Sequence, residues 1–344
     1  MLNRIHDLPS ISIVIPTLNS SKTIKNCLDS ILMQDYPSDK IEIIIADGGS
    51  ADNTISIVKD LSQSPNLRIN LIYNKLRTGE SGKAEGIKCT NNEILAFIDS
   101  DNVLPEPDWF RKMVEPFHNP SIVASEPLYY TYRREDGYIT RYCSLIGMND
   151  PICLFLGNYD RYCLLTNKWT EVAIEQIDKA SYKEVRFLKN EMPTIGANGF
   201  FIRRNKLLNY PIRDYFFDID IIQFLYSINP KIKIAKVKNG IIHIFSNNIF
   251  EFISKQIRRF TDYTYYNSLG LRRYNWYAIP KKKFLKFIFY TLLCIPLFFQ
   301  AVKGYLLKRD LAWFFHPIAC WITLCVYSFL FFRNLFFPLK PKKR

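Results

Sequence analysis

No Cys-x-x-Cys pair occurs among the eight cysteines (Cys27, Cys89, Cys143, Cys153, Cys163, Cys294, Cys320 and Cys325). That absence argues against both a zinc cluster and a disulfide framework. The stretch MLNRIHDLPS runs directly into ISIVIP without an apolar signal core. The N-terminal domain is therefore expected in the cytosol, where reduced thiols belong. Glycine and proline number only 13 and 18 in 344 residues, which excludes collagen-like repeats and, with 48% hydrophobic residues, argues for a folded body. Acidic residues are the minority, 32 against 46 Lys and Arg. The resulting net charge of +14 suits nucleic acid, anionic lipid or phosphorylated substrates. Nucleic acid is set aside, because no nucleic-acid-binding motif accompanies the charge.

The charge is concentrated in the C-terminal third, in RRF at 258–260, RR at 272–273, KKK at 281–283 and the final KPKKR, interleaved with aromatic residues. Basic residues beside rings at the edge of apolar segments fit a membrane surface. Residues 249–283 read as an amphipathic interfacial region, although an ordinary surface helix has the same pattern. Two apolar segments follow, Phe287 to Val302 and Leu311 to Phe332. Each approaches or exceeds the ~20 residues that span a bilayer. Extended past Lys286 and Lys303 by snorkelling, they predict a transmembrane hairpin at about 285–307 and 311–332 within 284–344, joined by KGYLLKRD. Lys281, Lys282, Lys283, Lys286, Arg333, Lys340, Lys342, Lys343 and Arg344 outnumber Lys303, Lys308 and Arg309 of the turn. Positive-inside bias then puts the catalytic domain and both termini in the cytosol, with two spans in the cell membrane. Buried or interfacial helices would share this composition, and Pro296 and Pro317 favour them.

From 11 to 115, short apolar runs (ISIVIP, IEIIIAD, INLIYN, EILAFI) alternate with helical stretches at 22–33, 52–62 and 80–90. Continuous β-branched runs joined by helices predict an α/β fold with a parallel sheet covered on both faces, and ligands at the carboxyl ends of its strands. Three of those ends carry polar residues: PTLN at 16–19, DGGS from Asp47, and DSD at 99–101. Carboxylates two apart at a strand end can hold a hard cation that bridges phosphate oxygens. Such acids also cap helices, so their convergence carries the reading. The stretch 120–192, with NDP at 149–151 and YDR at 159–161, reads as an acceptor-side insertion.

In order and approximate spacing, IVIPTLN, ADGGSADNT, GKAEGI and AFIDSDN resemble the family 2 inverting glycosyltransferases of GT-A fold, over roughly residues 10 to 260. The resemblance implies a Rossmann-like, mostly parallel sheet in a cytosolic domain at 1–248. Its nucleotide-sugar half would lie at about 10–115 and its acceptor half at about 116–248. It implies a nucleotide-diphosphate sugar donor, a lipid-linked or glycan acceptor, membrane lipid as a partner, and Mn2+ or Mg2+ as cofactor. Asp47 would hold the nucleotide base in a pocket lined by Pro16 and Thr17, with Asn19 and Asp52 beside them and Lys83 near the nucleotide. Asp99 and Asp101 would contact the ribose and the metal-bound diphosphate, Asp101 being the direct ligand.

Inverting transfer needs a base to deprotonate the acceptor hydroxyl. The family's acidic pair at a helix start corresponds to YFFDIDII at 215–222, which implies Asp218, with Asp220 as the alternative and Phe217 standing where the first acid would be. Either aspartate also reads as a helix cap. QIRRF at 256–260 resembles the Q-x-x-R-W motif of membrane-embedded members and implies Gln256 and Arg259 near the diphosphate or acceptor, with Phe260 stacking on the acceptor. His243, in the apolar GIIHIFS, reads as a core histidine or as a metal or diphosphate contact. A nucleotidyltransferase is disfavoured because its Gly-rich, Arg-containing N-terminal loop is missing. A degenerate membrane scaffold takes its support from Phe217.

Overall fold

A computed structural model describes residues 8–63, 68–188, 191–207, 210–274, 276 and 279–338. The basic end containing Lys340, Lys342, Lys343 and Arg344 lies outside the described residues. The first half alternates β1 (Ile11–Thr17), α1 (Ile24–Leu32), β2 (Ile41–Asp47), α2 (Thr54–Ser62), β3 (Ile69–Tyr73), α3 (Gly79–Lys88) and β4 (Ile94–Phe97). The runs ISIVIPT and ILAF are buried almost throughout, as strands covered on both faces require. β1 pairs in parallel with β2 and β4, and β2 with β3. A Cβ at Gly86 of α3 would collide with Val14, so glycine there lets helix and sheet approach closely.

The second half adds β5 (Asn102–Val103), α4 (Trp109–Val114), β6 (Ile122–Tyr130), α5 (Tyr138–Ile146), α6 (Ile152–Leu156), β7 (Ile174–Asp178), β8 (Tyr182–Phe187), β9 (Phe200–Arg203), α7 (Asp218–Ile228) and β10 (Lys233–His243). The sheet order is β3-β2-β1-β4-β9-β6-β10-β8-β7, with β5 on β10. β9, the strand of IGANGFFIRR, enters antiparallel between β4 and β6. The expectation of a mostly parallel sheet therefore holds for the first half only. Beyond β4 the sole parallel pairing described is β6 with β10, because β9 enters antiparallel between β4 and β6 and the neighbouring β7 and β8 run antiparallel.

A buried ionic cluster holds this mixed half together. Glu126 of β6 accepts from Arg161 at 2.7 Å and from Lys236 of β10 at 2.6 Å, and Arg161 also pairs with Asp160. Burial pushes the Asp160 carboxyl up to about 6, against the pull of Arg161 and Lys236. The cluster clamps the loop before β9: Glu126 accepts the Gly196 N–H at 3.0 Å, and Arg161 donates to the Ala197 and Asn198 carbonyls. YDR is thus largely buried scaffolding.

The C-terminal region consists of α8 (Ile249–Ser268), α9 (Lys281–Leu293), α10 (Ile295–Leu307) and α11 (Phe315–Phe336). α8 starts at Asn248, whose side chain caps Glu251 N at 2.9 Å. Leu311–Phe336 is long and apolar enough to cross a membrane, with a mean hydropathy of 1.7. The straight span expected at about 285–307 is instead broken: α9 and α10 meet at 90° around Cys294, which has φ +60°. Pro296, without an N–H and crowding the preceding turn, accounts for the break. α9, α10 and α11 share one apolar core with α5 and α6, including Phe155, Phe287, Leu297 and Trp313.

Removing Arg161 leaves Asp160 buried without its ion-pair partner and Glu126 with Lys236 alone. Arg161→Met is expected to lower the unfolding free energy by ~3 kcal/mol or more. Lys25→Met, which breaks only the exposed Lys25–Asp29 pair on α1, is expected to change it by less than ~0.5 kcal/mol. Calorimetric melting of the two variants in detergent checks the contrast.

Candidate active site

The carboxyl ends of β1, β2 and β4 form one rim. Asp47 closes β2 and folds the DGGS turn onto itself, accepting from Gly49 N at 2.7 Å, Ser50 N at 2.9 Å and Ser50 Oγ at 2.5 Å. Gly49, at φ +83°, allows the turn. Asn19, also left-handed, ties the PTLN end to it, accepting from Ala51 N at 2.8 Å and donating to Ser50 Oγ at 2.8 Å. Asp52 accepts from Thr54 and from Ser21 N. Slight burial opposes its charge, but these bonds outweigh it and bring its pKa down to about 2. Pro16 pairs with Ala46 and Thr17 with Asp47 across the β1–β2 ladder. Two buried polar atoms at this rim have no protein partner, Thr17 Oγ1 and Arg77 Nε. Arg77 also has positive φ (+62°) and packs over Gly48. Buried polar atoms are normally paired, so these two have bonding capacity left for a bound ligand or water. Arg77 carried no motif signal in the sequence.

After β4, Asp99 and Asp101 diverge. Asp99 faces Lys83 of α3 at 3.4 Å, and the same Lys83 ammonium pairs with Asp218, the first residue of α7. Burial works against the Lys83 charge, but the two carboxylates outweigh it and keep the ammonium protonated. Burial, joined by the Asp99 and Glu80 charges, raises the Asp218 pKa from its ordinary value, against the pull of Lys83. One ammonium shared by two carboxylates leaves an excess negative charge, which acts in the same direction as burial. The Asp218 backbone is fixed from below: Gly196, at φ +138°, lies so close that a Cβ there would strike the Asp218 carbonyl. The buried cluster thus reaches the site through one loop.

Asp101 points the other way, 3.5 Å from His243 Nε2 and 3.5 Å from Lys255 Nζ. The short β5–β10 ladder creates this pair, with His243 opposite Asn102 and Ile244 N donating to Asp101 O at 3.0 Å. Burial opposes the Asp101 charge, but His243, Lys255 and Arg258 outweigh it and hold the carboxyl far below the ordinary range. A cleft of about 190 Å3 opens here between Asn19, Ser100, Asp101, Asn247 and Lys255. Asp101 and His243 are the residues that would hold a divalent cation here, the carboxylate being the donor that suits Mn2+ or Mg2+. Among the described residues no third His, Cys, Asp or Glu joins them.

Gln256 and Arg259 do not face this cleft through their own polar atoms. Gln256 is buried, accepts from Arg259 at 2.7 Å and from Tyr327 of α11 at 3.1 Å, and donates to Asn149 O at 3.4 Å. Arg259 lies 3.5 Å from Asp150, which also accepts from Tyr327 at 2.5 Å. Phe260 packs on the Tyr327 ring, 5.2 Å between centroids. The motif therefore joins α8 to α11 and to NDP, while α8 meets the DSD turn through Lys255, one residue earlier. Asn149 completes the link, its Nδ2 lying 3.3 Å from His243 Nδ1. Asn149 belongs to the NDP triplet of the acceptor-side stretch, whereas Lys255 carries no spacing signature in the sequence. Asp220 is fully buried and held by Arg272 in a bidentate pair at 2.7 and 3.0 Å, with Arg273 N also donating to it. Arg272 in turn lies over the Phe217 ring, 4.7 Å from its centroid.

A half-parallel sheet whose strand ends carry DGGS and DSD turns, facing a helix that opens on a buried acid, has the organisation of a sugar-transferring enzyme. The chain belongs to glycosyl transferase family 2, whose profile matches residues 12–219. It is 30% identical over 143 residues to the glycosyltransferase AglE of Haloferax volcanii, covering 41% of this chain and 46% of that protein. It is 36% identical over 118 residues to a dolichyl N-acetyl-alpha-D-glucosaminyl phosphate 3-beta-D-2,3-diacetamido-2,3-dideoxy-beta-D-glucuronosyltransferase of Methanococcus voltae, covering 34% of this chain and 36% of that one. The matches thus span less than half of these relatives. The fold is similar, at a TM-score of 0.54 and 15% identity, to a Pyrobaculum calidifontis mannosyltransferase solved with GDP-Man and Mn2+, covering 95% of this chain and 87% of that one.

Thr17 Oγ1 tests the ligand-facing rim. Thr17→Val keeps the shape and removes an orphan hydroxyl, so melting should be unchanged. The best-bound nucleoside diphosphate should weaken about fivefold, the equivalent of ~1 kcal/mol for one hydrogen bond. Titration calorimetry with UDP and GDP measures it.

Proposed function

We propose that this protein is a membrane-associated inverting glycosyltransferase, moving a sugar from a nucleotide-diphosphate sugar to a lipid-linked or membrane-proximal acceptor. The observation that carries the reading is the Lys83 ammonium shared between Asp99 of the DSD turn and Asp218 at the start of α7. It ties a donor-side carboxylate to an acid with a raised pKa, and such a carboxylate is suited to take a proton from an attacking hydroxyl.

In this reading the orphaned Thr17 hydroxyl and Arg77 guanidinium, with the Asp47 turn, receive the nucleoside. Lys83 stays protonated and orients Asp99 and Asp218 on either side of the sugar. Asp218 accepts the acceptor hydroxyl proton as that oxygen attacks the anomeric carbon, and the glycosyl–phosphate bond breaks on the opposite face in a single displacement. A divalent cation held by Asp101 and His243 supplies charge neutralisation for the departing diphosphate when bound. Asp218 is preferred over Asp220 because Arg272 and the Arg273 N–H already occupy the Asp220 carboxylate in the interior. The intact triad weighs against a degenerate scaffold despite Phe217. The apolar α9–α11 region beside the site and the dolichyl-phosphate substrate named for the Methanococcus voltae relative support a lipid-linked acceptor.

The first experiment is nucleoside diphosphate release from a panel of nucleotide sugars by detergent-purified protein, with and without Mn2+ or Mg2+. Metal-dependent release from one donor, lost in Asp101→Asn, is expected. No release from any donor, with membrane lipid supplied as acceptor, would turn the reading towards the scaffold. Asp218→Asn should lower kcat by about 10²–10⁴-fold with little change in donor KM. Because the base works deprotonated and its pKa is raised, kcat/KM should climb with pH through a limb higher than that of an unperturbed aspartate, then level off. Lys83→Met, which leaves Asp218 facing Asp99 without a counter-ion, should move that limb to higher pH.

A further inference from the structure

The broken helix α9–α10 is fastened to the catalytic domain at both ends. At its start, Lys283 Nζ donates to Leu156 O at 2.7 Å, and Phe287 packs edge-on against Phe155 of α6 at 5.3 Å between centroids. At its far end, Lys303 Nζ donates to Leu165 O at 3.0 Å and Gln300 Oε1 lies 3.0 Å from His316 Nε2. The turn into α11 is pinned most firmly. Asp310 pairs with Arg141 of α5 at 2.8 Å, accepts from Tyr132 Oη at 2.6 Å, and Lys308 lies over the Tyr132 ring. Had α9–α10 crossed a bilayer, this turn would lie on the far side of the membrane from the domain that it grips.

Between the two anchor points the outward surface is apolar. Leu285, Phe289, Leu292, Ile295, Phe298 and Phe299 are each 52 to 67% exposed and are grouped around the bend. Lys281, Lys282 and Lys286 are exposed at the start of α9. Each arm has 13 residues and is therefore ~20 Å long. A right-angle bend puts the apex ~14 Å from the line joining the ends, close to one leaflet, half of a ~30 Å hydrocarbon core.

We propose that α9–α10 is a re-entrant wedge that enters the leaflet facing the catalytic domain and returns to the same side, with Lys281, Lys282 and Lys286 meeting anionic headgroups. The partner of this surface is a lipid leaflet: the depth matches one leaflet, the basic residues lie at the rim and the apolar ones at the apex. The wedge rests on the membrane association proposed above, and it replaces the first of the two spans that hydropathy alone predicts.

The test uses the full chain carrying Arg309→Cys at the exposed turn, in membrane vesicles prepared inverted and right-side-out. A membrane-impermeant maleimide is applied and labelled peptides are mapped by mass spectrometry, with the exposed native Cys89 marking the side of the catalytic domain. Position 309 should be labelled in the orientation that labels Cys89 and protected in the other. Labelling at 309 only where Cys89 is protected would make α9–α10 a true crossing and overturn the wedge. Flotation on phosphatidylcholine vesicles with one part in three phosphatidylglycerol separates the underlying reading. Wild type should float, and Lys281→Glu/Lys282→Glu/Lys286→Glu should partition about tenfold less or weaker. Failure of wild type to float, with self-association by light scattering instead, would end both the wedge and the membrane reading, while nucleoside diphosphate release still reports on transfer.

Discussion

The Lys83 ammonium, placed between Asp99 and Asp218, is the interaction on which the rest of the site depends. Its side chain is only 9% exposed, and a buried ammonium persists only when paired. The three groups come from α3, from the turn after β4 and from the start of α7, so the requirement for pairing brings both halves of the domain to one point. Burial raises the Asp218 pKa, and because neither carboxylate receives a full counter-charge, Lys83 does not cancel that rise.

Such a site needs rigid support, and the buried Glu126–Arg161–Lys236 cluster supplies it. It clamps the loop carrying Gly196 and Asn198. Asn198 accepts from Asn102 at 3.0 Å and so reaches the DSD turn, while Gly196 backs the Asp218 carbonyl. Buried ions lose hydration, so their packing in four mutually paired groups is a constraint on geometry more than a source of stability. The loop is thereby held in a left-handed conformation at Gly196, Asn198 and Gly199.

The C-terminal helices belong to the same body. Tyr327 of α11 bonds to Asp150 and to Gln256, Gln256 bonds to the Asn149 carbonyl, and Asn149 meets His243. A continuous set of polar contacts therefore runs from the apolar C-terminal helix to the imidazole beside Asp101. In this arrangement the Q-x-x-R segment acts as a joint between the catalytic domain and the helices that follow.

The alternation of apolar runs with helices, and the acids and glycines at strand ends, were enough to delimit β1 to β4 and to put Asp47, Asp99 and Asp101 on one rim, because strand burial and turn chemistry are local properties. The same locality explains the fault over 285–307: hydropathy records that a segment is apolar, whereas Pro296 and the anchoring of Asp310 to Arg141 decide that it bends and returns. Mixed pairing beyond β4 escaped notice because β9 finds its neighbours across more than 70 residues of intervening chain. Lys255 and Arg77 carry no spacing signature, and the burial of Asp220 against Arg272 is invisible in DID. Sequence thus determined the residue chemistry available at the strand ends. Which acid stays beside Lys83, and which is consumed by a buried arginine, was decided only by the tertiary structure, since desolvation and charge pairing act between groups that are distant along the chain.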